Sequence, residues 1–167
     1  MSDAPDTVPP APSPARAPTD APLRAPTDAP LRAPVVVPAH FQSFLAFDFG
    51  TKRTGVATGS RMLGLTTPQA TIKAEGADAR MLQVAARIKE FQPDALVIGV
   101  PYHPDGAAHE NTARALKFGR QLRGRFGLQV FEVDERYSTT EALSGGARDA
   151  DAASACIILE QFLRSLP

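Results

Sequence analysis

The chain contains a single cysteine, Cys156, so no disulfide can form within it. That residue sits in an apolar helical stretch, where a thiol packs as a small hydrophobe, and a reducing cytoplasm is the expected compartment. Tryptophan is absent and aromatics are only 7% of the residues, too few to advertise a stacking platform for single strands. Net charge is lacking too. Eighteen basic residues balance 18 acidic ones, which excludes a protein that coats nucleic acid by bulk charge. No apolar run approaches the ~20 residues of a membrane span. The N-terminus lacks the basic start and apolar run of a secretory signal. A soluble, cytoplasmic protein with no membrane partner is expected, and any nucleic-acid surface on it must be a local patch. The few histidines and the cysteine offer no zinc-like spacing.

Proline, by contrast, is concentrated: 11 of the 16 prolines lie within residues 1–38. Residues 1–40 read as a disordered Pro/Ala-rich tail with a tandem repeat, Ala17-Pro-Thr-Asp-Ala-Pro-Leu-Arg24 followed by Ala25-Pro-Thr-Asp-Ala-Pro-Leu-Arg32. Such a segment buries too little apolar surface to offset its ordering entropy. It is either a docking arm or an extension without a specific role. Residues 41–167 have the composition of one folded domain.

Within that domain Phe44–Phe49 is a short apolar run ending at Gly50, the pattern of a buried strand. Arg53–Ser60 and Leu63–Ile72 extend it into a meander. Asp78–Phe91 has helical spacing through Met81, Leu82, Ala85, Ile88 and Phe91, and Pro93-Asp94 breaks it. Ala95–Val100 is a wholly apolar strand. A long helix runs from about His109 to Phe126, a strand covers Leu128–Val133, and a short helix falls near Ser138–Leu143. A last helix spans Asp149–Leu166. The order βββαβαβαα predicts an α/β fold, a five-stranded mixed sheet flanked by helices.

Three acids draw attention. Asp48 ends an apolar strand, where a carboxylate is costly unless paired, hydrogen-bonded or bound to metal. Gly50 and Gly55 beside it permit a tight turn and close backbone approach to a phosphate or an ion. The segment Phe131-Glu-Val-Asp-Glu-Arg-Tyr-Ser138 offers Glu135, on the face of Phe131 and Val133, and Asp134, on the face of Val130. Alternation does not choose between them. In the last helix Asp151 heads the core-facing stripe of Ala155, Ile158 and Phe162, while Asp149 suits an N-cap. Each of these acids also has an ordinary reading as a turn cap, a solvated charge or a complement to the helix dipole. Taken together, carboxylates from separate elements fit two Mg²⁺ or Mn²⁺ ions about 4 Å apart, the arrangement that serves phosphodiester hydrolysis. Arg114, Lys117 and Gln121 share one face of the long helix, with Arg120 beside them, as a phosphate clamp or a plain solvated face. Lys52 and Arg53 are better placed, next to Asp48.

Four motifs occur in order. They are Leu45-Ala-Phe-Asp-Phe-Gly-Thr-Lys-Arg-Thr-Gly-Val-Ala57, Val97-Ile-Gly-Val-Pro101 with Asp105-Gly106, Asp134-Glu-Arg-Tyr-Ser-Thr139 and Asp151-Ala-Ala-Ser-Ala-Cys-Ile-Ile-Leu159. From Phe44 to Phe162 the chain resembles the YqgF-like family, Holliday junction resolvase-like proteins also described as nucleases of pre-16S ribosomal RNA. The resemblance implies an RNase H-like fold. It implies that Asp48, Glu135 and Asp151 match the family's acidic positions as catalytic residues and metal ligands, and that Lys52 and Arg136 contact substrate. Two departures stand out. Tyr102-His103 replaces a frequent Leu-Asn pair, and a short Ser144–Ala150 segment replaces a longer Gly- and Lys-containing loop.

The expected function is metal-dependent nuclease action on pre-16S rRNA ends in ribosome biogenesis, by a monomer or weak homodimer. A Holliday junction resolvase and a non-cleaving nucleic-acid or transcription-associated factor are the alternatives. A two-lobed ATPase is disfavoured by the length of the domain.

Overall fold

The computed structural model describes residues 36–103, 105–108, 110–135 and 150–167. The Pro/Ala-rich repeats, the short helix near residues 138–143, Arg136 and Asp149 lie outside the described residues.

The strands are β1 (Ser43–Asp48), β2 (Arg53–Ser60), β3 (Leu65–Lys73), β4 (Ala95–Val100) and β5 (Val130–Asp134); the helices are α1 (Ala77–Phe91), α2 (Glu110–Phe126) and α3 (Ala150–Arg164). They form one mixed sheet in the order β3-β2-β1-β4-β5. The meander β1-β2-β3 is antiparallel, whereas β4 lies parallel to both β1 and β5. The parallel part therefore needs crossover connections, and these are the helical segments.

Alternation along β1 divides the core. Leu45 and Phe47 join Val56, Leu96 and Ile98 beneath Met81 and Val84 of α1 and Ala115, Phe118 and Leu122 of α2. Phe44 and Ala46 join Ala57, Val97 and Phe131 beneath Ala155, Ile158, Leu159 and Phe162 of α3. Every residue of β4 is buried because both faces of the sheet centre are covered, which explains its unbroken apolar run. Phe47 packs edge-on against Phe118 with centroids 5.8 Å apart, and Phe44 likewise against Phe162 at 5.1 Å. Each such buried ring contributes roughly 1.5–3 kcal/mol.

The observed boundaries shift slightly from those read in the sequence. β3 starts at Leu65, after a turn in which Gly64 has φ 64°. β5 starts at Val130 because Gly127, at φ 67°, ends α2 with its N–H on the Arg123 carbonyl. The face of α1 also differs from the expected stripe. Met81 and Val84 are buried and Ile88 and Phe91 pack beside them, while Leu82 is 69% exposed. Residue 82 sits about 100° around the helix from residue 81, away from that stripe. Arg80, not Leu82, completes the buried face. Beyond α1, the Asp94 carboxylate accepts the backbone N–H groups of Gln42 at 2.7 Å and Ser43 at 2.9 Å, tying the start of β1 to that of β4. The two strands thus run in register, Phe44 beside Ala95 and Phe47 beside Ile98, and end side by side.

Candidate active site

The site lies where β1, β4 and β5 end together, on the face covered by α3. Asp48 is the last residue of β1 and continues the α3-facing series of Phe44 and Ala46. Burial, and then the charge of Asp151, raise its carboxyl from an ordinary 3.8 to about 7, partly offset by a hydrogen bond that the Ser154 hydroxyl donates. Glu135 follows β5 directly. Its N–H donates to the Val100 carbonyl at 3.2 Å, which carries the β4–β5 pairing one residue further. Its side chain remains on the face of Phe131 and Val133, is only 8% exposed, and lies over Gly99 of β4. Burial, then the charges of Asp48 and Asp134, lift its carboxyl to about 8. Asp134 itself is exposed, so alternation that could not choose between the two acids is resolved by which face the helix covers.

Asp151 enters from the first turn of α3, and its Oδ2 accepts Nε–H of Arg53 at 2.6 Å. Two glycines make the convergence possible. A Cβ on Gly55 of β2 would stand 1.9 Å from the Asp151 carbonyl oxygen, so only glycine lets the start of α3 approach the sheet this closely. A Cβ on Gly99 would stand 2.5 Å from Glu135 Oε2 and 2.4 Å from Ile158 Cδ1. The expectation that Gly55 serves a phosphate or an ion is corrected here: its missing side chain accommodates helix backbone.

The structure thus brings Asp48, Glu135, Asp151 and Arg53 together. Lys52 is exposed on the β1–β2 turn beside them. Arg114 and Lys117 are exposed on α2, whose buried residues pack on the sheet face opposite α3. Arg114 Nη1 is 3.1 Å from Asn111 Oδ1. His103 is exposed in the turn after β4. Sequence reasoning missed Ser154, whose hydroxyl reaches the Asp48 carboxylate. Its position three residues after Asp151, on the same helix face, was the available signal. Among the described residues no group of three or more His, Cys, Asp or Glu side chains is arranged to hold a metal ion as it stands. Arg53 supplies the countercharge at Asp151 instead. The donor set nonetheless suits a hard divalent cation: carboxylate oxygens, two of them driven toward the neutral form by burial and repulsion that such a cation would relieve.

Residues 42–165 match the family model described as "RuvX: Holliday junction resolvase". A protein of Polaromonas sp. is 74% identical over 129 residues, spanning 77% of this chain and 93% of that protein. One of Albidiferax ferrireducens is 69% identical over 130 residues, spanning 78% of this chain and 83% of its own. Both carry the name "Putative pre-16S rRNA nuclease". Among solved structures, the fowlpox virus Holliday junction resolvase superposes with a TM-score of 0.52 at 13% identity, over 75% of this chain and 99% of its own. The same resolvase bound to junction DNA gives 0.50 at 11% identity, over 74% and 97%. At these identities the likeness concerns the fold, which agrees with the RNase H-like architecture expected from the motifs. On the extent of the family match and the identity to its relatives, this chain belongs to the RuvX family.

Proposed function

We propose that the protein is a nuclease that hydrolyses phosphodiester bonds with Mg²⁺ or Mn²⁺ and acts on the ends of pre-16S rRNA. Asp48, Glu135 and Asp151 would be the catalytic acids and hold the cation or cation pair. The observation that carries this reading is the convergence of Asp48 at the end of β1, Glu135 over Gly99 after β5 and Asp151 in the first turn of α3, near enough for the charges of Asp151 and Glu135 to act on that of Asp48. Acids that repel one another in a partly desolvated corner are costly to the fold and characteristic of functional sites. The names of the 74% and 69% identical relatives support the substrate.

A divalent cation, when bound, polarises the phosphoryl group and stabilises the charge that develops in an in-line displacement. The chain's own residues do the rest. Ser154 orients the Asp48 carboxylate by donating its hydroxyl hydrogen. Arg53, 51% exposed and already beside Asp151, reaches both the acids and a phosphate next to them. Lys52 would add a second cation to the same phosphate run. Arg136 follows Glu135 directly in the chain and would serve the neighbouring backbone. Arg114 and Lys117, on the other layer, would meet backbone further from the reacting bond.

Asp48→Ala should abolish Mg²⁺-dependent cleavage of an RNA mimicking the pre-16S end while leaving the circular dichroism spectrum unchanged. Cleavage at the wild-type rate by this variant overturns the assignment. The family's own description favours a second reading, resolution of four-way DNA junctions. Offering a junction and the RNA mimic to the same preparation separates the two. Symmetric junction cutting needs paired copies, so the mass of the active species is part of that comparison.

A further inference from the structure

Arg80 has no part in the chemistry described so far, yet its setting is unusual for an arginine. It lies near the start of α1 and is 6% exposed. Its Nη2 donates to the Thr51 carbonyl at 2.6 Å, and its guanidinium carbon stands 4.8 Å over the Phe49 ring. Nε is buried with no hydrogen-bond partner, and among the described residues no carboxylate pairs with the group. Burial depresses its pKa accordingly. A methionine or leucine would fill a helix–sheet contact without these costs. A conflict of this kind, tolerated in one place, points to a use for it nearby.

Both contacts fall on the same short segment. Phe49 and Thr51 belong to the turn from Asp48 to Arg53, which carries an acid at one end and two basic residues at the other. Three successive carbonyls of that turn are engaged: Gly50 by the Thr54 hydroxyl at 3.3 Å, Thr51 by Arg80, and Lys52 by the Ala74 N–H at 3.0 Å. Of these anchors, only Arg80 reaches in from a helix, and it clasps a ring and a carbonyl two residues apart. Pinning a turn this way removes the conformational freedom that Lys52 and Arg53 would otherwise lose on binding.

We infer that Arg80 is a positioning residue that locks the turn between Asp48 and Arg53, so that its two basic side chains are preorganised for a substrate phosphate beside the acids. The inference rests on the nuclease reading for its consequence, though not for its geometry. The test uses the full chain with Arg80→Met and Arg80→Lys. Amide hydrogen exchange is first followed without nucleic acid, and steady-state cleavage of the RNA mimic is then measured in Mg²⁺.

In Arg80→Met, exchange at Thr51–Arg53 should quicken and KM rise about tenfold, the equivalent of ~1.4 kcal/mol, with kcat within about twofold of wild type. Arg80→Lys retains the charge and one bond to Thr51 and should recover part of the loss. Wild-type exchange in the turn, or an unchanged KM in a folded variant, overturns the inference. If Arg80→Met does not fold, Arg80→Lys alone decides, because a lysine cannot place a guanidinium over the Phe49 ring while bonding Thr51 and should still raise KM. Should the wild-type protein cleave neither RNA nor DNA, the nuclease reading fails, while the exchange data still report whether Arg80 holds the turn.

Discussion

Replacing Asp48 with asparagine should make the metal-free protein more stable at alkaline pH, although it removes a residue assigned to catalysis. The fold raises the Asp48 carboxyl from 3.8 to about 7 and that of Glu135 from 4.5 to about 8. In that interval the folded protein keeps protons that the unfolded chain has already released. Stability from this pair therefore falls as pH climbs from about 4 to about 8 and is level above that. At 1.36 kcal/mol per pH unit, ionising Asp48 costs the fold at most ~4 kcal/mol. Solvent on its open side reduces the expected gain in Asp48→Asn to about 2 kcal/mol, or roughly 5–10 °C in Tm for a domain of this size. The asparagine side-chain oxygen still accepts the Ser154 hydroxyl, so that donor keeps its partner, and the new NH2 group faces acceptors in the carboxylates of Glu135 and Asp151. Urea denaturation followed by circular dichroism, in chelator at pH 5 and pH 8.5, reads the effect. The advantage should be largest at pH 8.5 and fall to less than half of that at pH 5, where the folded protein keeps its protons but the unfolded chain has already released that of Asp48. Excess Mn²⁺ should reverse the order by binding only the wild-type site well. An Asp48→Asn protein less stable than wild type at pH 8.5, or equally advantaged at both pH values, refutes the reasoning.

Gly55→Ala forces a Cβ to within 1.9 Å of the Asp151 carbonyl oxygen, so the start of α3 must shift; a loss of about 1–3 kcal/mol in urea denaturation is expected. Gly99→Ala pushes against the Glu135 carboxylate and Ile158, and its cleavage rate should fall more steeply than its stability. Arg53→Ala breaks an exposed ion pair with Asp151 and should cost less than ~1 kcal/mol of stability, yet weaken RNA binding measured by fluorescence anisotropy. Asp94→Ala removes a carboxylate held below its ordinary range by the Ser43 and Gln42 N–H groups. It should cost about 1 kcal/mol at pH 7, a difference that fades as acid protonates the wild-type Asp94.

The strands, the unbroken apolar run of β4 and the candidates Asp48 and Asp151 were legible from residue order alone, because period-two alternation and apolar runs are local properties of a chain. So was the inward stripe of α3 headed by Asp151, which follows from helical spacing. Family motifs, not periodicity, distinguished Glu135 from Asp134 at that level. In the structure the distinction is physical: α3 covers the face of Phe131 and Val133, so Glu135 is desolvated and Asp134 meets water. The roles of Gly55, Gly99, Ser154 and Arg80 came only from tertiary structure. Each depends on what lies opposite: the backbone of α3, the carboxylate of Glu135, the carboxylate of Asp48, the turn at Thr51. Sequence separation carries no information about such distances. The spacing within an element is set by its own helix or strand, whereas the partner across a gap is chosen when the whole core packs.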